Sequence, residues 1–233
     1  MTEPVLVGVD IGWSVDPAPE STGLCTLEGP ELVDCSLATS DEEVLNYAIK
    51  RDADFVGVDA PLVVPNPNGQ RPVENELQRR GYAVYPANRT WMQEAYGGLR
   101  GEVLAEKFDA YGYSLAADTA APNAVIEVYP NPTIRATIGE IPDYKDATKA
   151  EMFSGLTELW RRTIDTVDGI GFGGFEALVP ESAADVTKRD LKAVGDLIDA
   201  FYSAYVLKLD LEQPERTDVF GQLETGTILL ASE

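Results

Sequence analysis

The sequence contains no histidine among its 233 residues. This absence excludes imidazole zinc ligands, Ser-His-Asp and Cys-His nucleophilic sites, and a histidine general base. Any acid–base or metal chemistry must therefore come from carboxylates, with lysine, tyrosine and cysteine as minor candidates.

Cysteine is nearly absent as well, with only Cys25 and Cys35. The two form no C-x-x-C pair, so the sequence has neither a redox motif nor a cysteine zinc motif. They lie ten positions apart across a predicted hairpin and could face each other. Because no secretory signal is recognisable, we expect two buried free thiols rather than a disulfide.

Long apolar runs are also missing. No stretch reaches the roughly 18 apolar residues that a transmembrane helix needs. The opening MTEPVLVGVD has neither a basic region nor the apolar core of a signal peptide. These absences predict a cytoplasmic protein that does not enter a membrane.

Positive charge is scarce. Lys and Arg number 18 against 40 Asp and Glu, so the net charge is −22, and only 7 of the cations are Lys. The 44% of hydrophobic residues provide a real core, which excludes a disordered acidic tail. This acidic, lysine-poor composition is typical of halophilic proteins. At 1 M salt the Debye length falls to about 3 Å, so the repulsion between the many acidic side chains is screened. The alternative is an acidic surface that binds cations or basic partners.

The hydrophobic pattern predicts an α/β chain that forms one domain over residues 1–233. We expect strands at 4–10, 22–28, 31–37, 54–59 and 124–129, with a final hairpin at 217–230. We expect helices at 41–51, 72–80, 101–117, 147–165 and 187–209, the first opened by the capping box Ser40-Asp41-Glu42-Glu43. Residues from about 60 to 120 form an inserted segment after the fourth strand. The glycine-rich 168–174 matches no phosphate-binding motif and is predicted to be a connecting loop.

A repeated four-residue sequence points to a candidate site. Val-Gly-Val-Asp occurs at 7–10 and again at 56–59. Neither copy alternates polar and apolar residues, so both are predicted to be central strands covered on both faces. Ligands of open α/β sheets bind beyond the carboxyl ends of the strands, where Asp10 and Asp59 would stand together if these strands are neighbours.

Further carboxylates are predicted to join them. Asp196 and Asp199 are three residues apart on the long helix and share a face, and Glu127 lies on a later strand. Two like charges about 4 Å apart cost about 4 kcal/mol at an effective dielectric constant of about 20. Such a cluster must keep some acids protonated or hold a cation. In a chain with 40 acids, an Asp at a strand end can also simply cap a loop.

Oxygen-only ligands suit Mg²⁺ or Mn²⁺. Two such ions can stabilise the attacking and leaving oxygens of a phosphodiester displacement, and this chemistry needs no histidine. We therefore predict that the metal ligands are Asp10, Asp59, Asp196, Asp199 and Glu127, with all but Glu127 also catalytic.

Four motifs in order resemble one known family. VGVDIGW, VGVDAPL followed by RPVENELQRRGYAVYP, then EVYP, then DLIDAFYSAY resemble the family called domain of unknown function 429. Its members are predicted ribonuclease H-like nucleases, and the resemblance runs from about residue 5 to residue 230.

The resemblance implies a ribonuclease H-like fold with a five-stranded mixed sheet flanked by helices. Its first three strands would be antiparallel, with the Asp59 strand beside the Asp10 strand and the Glu127 strand beyond it. Relatives of this fold such as the Holliday-junction resolvases bind two divalent ions through acids at positions that match Asp10, Asp59, Asp196 and Asp199. Glu74 and Glu76 match a family motif without a settled role.

One window reverses the acidic charge. Residues 71–100 hold five Arg, three Glu and four large aromatic residues, so the window has a net charge of +2. Arginine beside aromatic residues suits phosphate contacts and base stacking on a single strand or junction. The alternative is a surface helix with extended Arg side chains and aromatics that fill a small lid core. We predict that the substrate-binding residues are Arg71, Arg79, Arg80, Arg89, Lys188 and Lys192.

Together these features predict a divalent-metal-dependent nuclease that hydrolyses DNA or RNA. One alternative is a single-lobe, nucleotide-binding phosphotransferase related to sugar kinases, which share the strand-Asp-Ile-Gly start. Sugar kinases normally need two such lobes around ATP, whereas 233 residues provide one. The other alternative is a non-catalytic interaction protein whose acids serve only halophilic adaptation.

Overall fold

A computed structural model of the protein describes residues 3–15, 22–145 and 147–232. Its strands are β1 Val5–Asp10, β2 Thr22–Glu28, β3 Glu31–Ala38, β4 Phe55–Val58, β5 Ser114–Ala116, β6 Ala124–Glu127, β7 Thr217–Gln222 and β8 Gly226–Ala231. Its α-helices are α1 Asp41–Ile49, α2 Pro72–Arg79, α3 Arg89–Tyr96, α4 Arg100–Asp109, α5 Pro130–Ile138, α6 Lys149–Thr166 and α7 Lys188–Glu212.

The centre of the fold is a six-stranded mixed sheet in the order β3-β2-β1-β4-β6-β5. Strands β1 to β3 are antiparallel, whereas β4 and β6 run parallel to β1. The predicted placement of the β4 strand beside β1, and of β6 beyond it, is confirmed. These three strands are almost wholly buried, as expected for parallel strands covered on both faces.

The sheet has six strands, so the expectation of five was wrong. The helix predicted over 101–117 ends at Asp109, and Gly112 with a φ of 88° helps turn the chain. The chain then continues as β5, which pairs in parallel with β6 at the sheet edge. A strand of three residues is too short to show an alternating hydrophobic pattern. The sequence pattern therefore placed its residues in the helix that precedes it.

Two apolar layers cover the sheet. Helices α5, α6 and α7 pack on one face around a core that includes Trp160 and Phe201. Helices α1 and α4 pack on the other face, around Val7, Val56 and Phe108. Helix α7 contacts the strands most extensively and lies directly across β1 and β2.

Two helices went unpredicted. Pro130 lies shortly after β6 and begins α5, because proline suits the first turn of a helix. Helix α3 is capped by Asn88, whose side chain accepts from the Trp91 amide at 2.9 Å. Both helices are short, and neither has a repeated apolar stripe long enough to read from the sequence.

The C-terminal hairpin and the glycine-rich loop follow the expectation. Strands β7 and β8 pair in antiparallel, and β8 lies against β6 through a bridge between Val128 and Leu229. Residues 168–174 form a loop rather than a helix or strand, bridged to Glu31 through Gly171.

The two cysteines correct one expectation. Cys25 on β2 lies directly opposite Cys35 on β3, and the two sulfur atoms form a disulfide. The hairpin register was anticipated, but the expectation of free thiols was wrong. That expectation came from the absence of a secretory signal, whereas directly opposed positions on antiparallel strands bring the sulfur atoms together.

Within the described ranges, no helix combines the length with the apolar composition that is needed to cross a bilayer.

Candidate functional site

Asp10 is the last residue of β1, and Asp59 directly follows the neighbouring parallel strand β4, so both lie at the same edge of the sheet. Val9 of β1 is in register with Val58 of β4, and the Asp59 amide donates to the Val9 carbonyl at 2.9 Å. The repeated Val-Gly-Val-Asp therefore places both carboxylates beyond the carboxyl ends of central strands, where α/β folds bind ligands.

Helix α7 brings two more carboxylates to this edge. Asp196 is 7% exposed and Asp199 is 2% exposed. The close approach of the helix depends on glycine in the strands, because a Cβ at Gly57 would lie 2.5 Å from the Ser203 carbonyl oxygen. Gly23 likewise faces the backbone carbonyl of Asp196. The helix backbone thus packs on the sheet without intervening side chains.

The acids are close enough for the charge of one to shift the pKa of another. Burial, followed by the charge of Asp199, raises the pKa of Asp10 well above its ordinary value, and Asp59 and Asp196 add to this. Burial and Asp199 also raise the pKa of Asp59 to about 7. Lys145 opposes both shifts. Folding therefore concentrates negative charge here that the protein alone only partly compensates.

Lys145 is a site residue that the sequence did not reveal. Its ammonium forms an ion pair with Oδ2 of Asp199, while the Tyr144 hydroxyl donates to Oδ1 at 2.9 Å. Desolvation opposes the charge of Lys145, but Asp199 and Asp10 raise its pKa above the ordinary value. Its partner lies 54 positions along the chain, so no local pattern marks it.

Packing fixes the loop that carries Lys145. Tyr144 is 6% exposed and lies beside Gly195 of α7, where an added Cβ would contact the tyrosine ring at 3.7 Å. At Gly155 of α6, an added Cβ would overlap the Asp143 carbonyl. Residues 143–144 are thereby held between α6 and α7, with the adjacent Lys145 at the acids.

Glu127 has a different set of contacts from the other four acids. Its carboxylate accepts two hydrogen bonds from Arg71, at 2.6 and 2.9 Å, and one from the Leu62 amide at 2.9 Å. Burial raises the pKa of Glu127, although Arg71 lowers it in part. The charge of Glu127 helps to raise the pKa of Asp59. Both carboxylate oxygens of Glu127, however, accept hydrogen bonds from Arg71 or Leu62 of the inserted segment.

Arg71 and Glu74 account for the Arg-Pro-Val-Glu motif. Arg71 is 2% exposed and also donates from Nε to Glu74 at 2.8 Å. The Glu74 carboxylate accepts from the amides of Arg71 and Ala87. Nearby, the Glu76 carboxylate accepts from the Gly221 amide at 3.4 Å. These buried contacts fix residues 62–87 beside the acids.

Two clefts flank the acids and share a wall formed by Trp13 and Tyr85. The larger cleft has a volume of about 370 Å³, and its further lining residues are Asp10, Ile11, Gly12, Tyr96, Lys145, Lys192 and Asp196. The smaller cleft, of about 60 Å³, reaches Asp59 and the buried Arg71 network. Either cleft gives a ligand direct access to one strand-end carboxylate.

The predicted substrate-binding cations occupy different places. Lys192 lines the larger cleft, whereas Arg71 lies at the base of the smaller one with both its charge partners. The others do not line these two clefts among the described residues: Arg79 and Arg80 are exposed at the end of α2, Arg89 pairs with Glu102 at 2.8 Å, and Lys188 is exposed at the start of α7.

The donor set suits a hard divalent cation. It is anionic and made of oxygen only, and the charge of Asp199 helps to raise the pKa values of Asp10 and Asp59. Among residues 3–15, 22–145 and 147–232, no group of three or more acidic or cysteine side chains is spaced to hold one metal ion. Mg²⁺ is usually held by one or two carboxylates together with substrate phosphates, so the site fits that mode rather than a closed protein cage.

Comparison with known proteins places the chain in one family. A family model described as a protein of unknown function, DUF429, matches residues 8–212, so the chain belongs to the DUF429 family. Searches of curated proteins and of solved structures found no match.

Proposed function

We propose that this member of the DUF429 family is a divalent-metal-dependent nuclease with a ribonuclease H-like fold. The observation that carries the proposal is the convergence of Asp10, Asp59, Asp196 and Asp199 on one edge of the sheet. The strand order, with three antiparallel strands followed by parallel β4 and β6, supports this choice of fold. Phosphodiester hydrolysis suits a site that contains acids and lysine but no histidine.

Asp10 and Asp59 are the expected primary ligands for Mg²⁺ or Mn²⁺, with Asp196 and Asp199 on the helix side. A bound ion supplies Lewis-acid activation of water and neutralises charge that develops on the phosphoryl oxygens. Lys145 orients Asp199 through their ion pair and places a positive charge beside the position of a substrate phosphate. Asp199 itself is buried, at 2% exposure, which strengthens its interactions relative to those in water, whereas the Lys145 side chain is half-exposed and can reach a ligand in the cleft.

The acidic surface belongs to the same proposal. We take the net charge of −22 as an adaptation to concentrated salt, where counterions screen the repulsion between acids. Assays therefore belong in molar KCl as well as in dilute buffer, because the fold and the site are expected to work best when this repulsion is screened.

Cleavage of labelled single-stranded and duplex DNA and RNA tests the proposal directly. Wild type should cleave at least one of these substrates with Mg²⁺ or Mn²⁺ and none with EDTA. Asp10→Asn and Asp199→Asn should abolish cleavage, because each removes a charge from the ion-binding set. Asp165→Asn is the matched control, since Asp165 is exposed on α6 and forms a surface ion pair with Arg161.

Thermal stability gives a second readout that does not depend on turnover. Mn²⁺ should raise the melting temperature of wild type, and much less that of the Asp10→Asn, Asp59→Asn double variant. Equal shifts in both proteins would indicate ion binding elsewhere on the acidic surface and would contradict the metal site. Hydrolysis of ATP without cleavage of any polynucleotide would favour the phosphotransferase alternative.

A further inference from the structure

The wall between the two clefts is built from aromatic rings. Trp13 packs edge-on against Trp91 and Tyr96, with ring centroids 6.2 and 5.5 Å away, and Trp91 meets Tyr96 at 5.3 Å. Tyr85 stands beside Trp13 and lines both clefts. The first three rings support one another, whereas Tyr85 presents its surface to the solvent.

Tyr85 is 76% exposed, the highest value among the large apolar side chains of the described residues. It is nevertheless not on a loosely held loop. Two residues later, the Ala87 amide donates to the buried Glu74 carboxylate, and two residues earlier, the Ala83 carbonyl accepts from the Tyr129 hydroxyl. The fold thus anchors the backbone on both sides of an exposed aromatic ring at the mouth of the site.

The larger cleft combines this wall with charges of both signs. Lys145 and Lys192 line it together with Asp10 and Asp196. The chain has only 7 lysines, so two of them in one cleft of a strongly acidic protein is a notable concentration. An aromatic face suits a flat ring system, ammonium groups suit a phosphate, and the carboxylates suit the cation that a phosphate brings with it.

We propose that the larger cleft binds one nucleotide of an unpaired nucleic-acid strand. The base stacks on the aromatic wall at Tyr85 and Trp13, and the adjoining phosphate lies between Lys145 and Lys192, next to Asp10. This inference rests on the proposed function for the identity of the substrate as a polynucleotide, and it specifies that the strand is unpaired at the site.

Two features favour an unpaired strand over a duplex. Stacking on a side chain requires a free base face, which base pairs inside a duplex do not offer. The cleft volume of about 370 Å³ is that of a small-molecule pocket, which accommodates a single nucleotide rather than a stacked helix. A mononucleotide shares this chemistry, so the test must separate it from a strand.

Binding is measured with Ca²⁺ present and again in EDTA, and gel electrophoresis checks that the labelled strand stays intact, so that cleavage plays no part. Fluorescence anisotropy would follow a labelled single strand of about 12 nucleotides, within the range of known single-strand sites, and the blunt duplex of the same sequence. Adenosine monophosphate serves as the mononucleotide competitor. Wild type should bind the single strand at least about 10-fold more tightly than the duplex, and the monophosphate should compete weakly.

Variants at Tyr85 test the aromatic wall. Tyr85→Ala should weaken single-strand binding by about 10-fold, the effect expected for loss of one stacked base, while Tyr85→Phe should bind like wild type. Tyr111→Ala is the matched control, because Tyr111 is also an exposed tyrosine, at 62%, but lies just beyond α4 and lines neither cleft among the described residues. Both alanine variants replace exposed rings, and circular dichroism checks that they fold.

The outcomes separate this inference from the nuclease proposal. Single-strand binding that depends on Tyr85, in a protein that never cleaves, would support the cleft and overturn the nuclease. If the protein cleaves but Tyr85→Ala does not change single-strand binding, or if duplex and single strand bind equally, the proposed nucleotide site is wrong. The nuclease proposal would be unaffected by that result. If adenosine monophosphate bound as tightly as the single strand, the cleft would be a mononucleotide site and the proposed strand site would be wrong.

Discussion

Gly8 on β1 faces the backbone carbonyl of Ala200 on α7. A Cβ at Gly8 would overlap that oxygen and would lie 2.5 Å from the Ala204 nitrogen. Gly8→Ala should therefore destabilise the protein by about 3 kcal/mol, because backbone atoms cannot move aside as a flexible side chain can. Urea unfolding followed by tryptophan fluorescence, at one fixed salt concentration, measures this free energy.

Gly195→Ala is the matched control for this substitution. Gly195 lies in α7 itself, and an added Cβ would meet the Tyr144 ring at an ordinary 3.7 Å. Alanine in a helix is favoured over glycine by about 1 kcal/mol, so this variant should be as stable as wild type or more stable. Equal destabilisation by both variants would show that the glycines in the strand do not set the distance between helix and sheet.

These glycines also show what the sequence could predict. The Val-Gly-Val-Asp repeat indicated two buried strands, their carboxyl-terminal acids and the site between them, because strand pattern and acid position are local features. The spacing of Asp196 and Asp199 similarly indicated one helix face. The role of Gly8 in admitting α7 depends on Ala200, far along the chain, and no local pattern encodes such a contact.

A buried Arg71 should make a large contribution to stability. Its guanidinium bonds to Glu127 at 2.6 Å and Glu74 at 2.8 Å, with all three side chains at most 5% exposed. Arg71→Met would leave two carboxylates buried without their cation and should cost about 3–5 kcal/mol of unfolding free energy. Chemical denaturation of both proteins measures the difference.

Arg89→Met provides the comparison for Arg71. Arg89 also pairs with a glutamate, Glu102, but its side chain is 51% exposed. Exposed ion pairs contribute about 0–1 kcal/mol, so this variant should be nearly neutral. A similar, small loss for both variants would mean that the buried network does not hold the inserted segment in place.

The partners of the arginines in residues 71–100 could not be predicted from the sequence. Its composition predicted phosphate contacts, yet Arg71 is directed at two glutamates and Arg89 at one. Composition counts charges but does not show which ones are already paired, since pairing depends on the fold. Lys145 is the opposite case, a single lysine whose importance comes from Asp199 on another element.

Lys145→Gln should strengthen metal binding and weaken catalysis at once. Removal of the ammonium leaves Asp199 without its ion-pair partner and the site one unit more negative, which favours a divalent cation. The same change removes the charge placed to meet a phosphate. We expect a larger rise of melting temperature with Mn²⁺ and at least about 10-fold slower cleavage, a loss of about 1.4 kcal/mol in transition-state stabilisation.

Lys50→Gln is the control for this pair of measurements, because Lys50 caps α1 and lines neither cleft among the described residues. It should leave both the Mn²⁺ shift and the rate unchanged. If Lys145→Gln lost the Mn²⁺ shift, Lys145 would support the ion-binding arrangement instead of competing with the ion.

The stability of the metal-free protein should decrease as the pH rises from about 4 to about 7, because of Asp59. Its pKa is raised from 3.8 to about 7, first by burial and then by Asp199, so the folded state holds a proton that the unfolded chain has already released. Its stabilising contribution is therefore complete below about pH 4 and is lost as pH rises through about 7. Asp59→Asn, which carries no charge at any pH, should match wild type near pH 4 and exceed its unfolding free energy by roughly 2–4 kcal/mol at pH 8. Denaturation in EDTA across this range measures both curves, and parallel curves would show that Asp59 ionises normally in the folded protein.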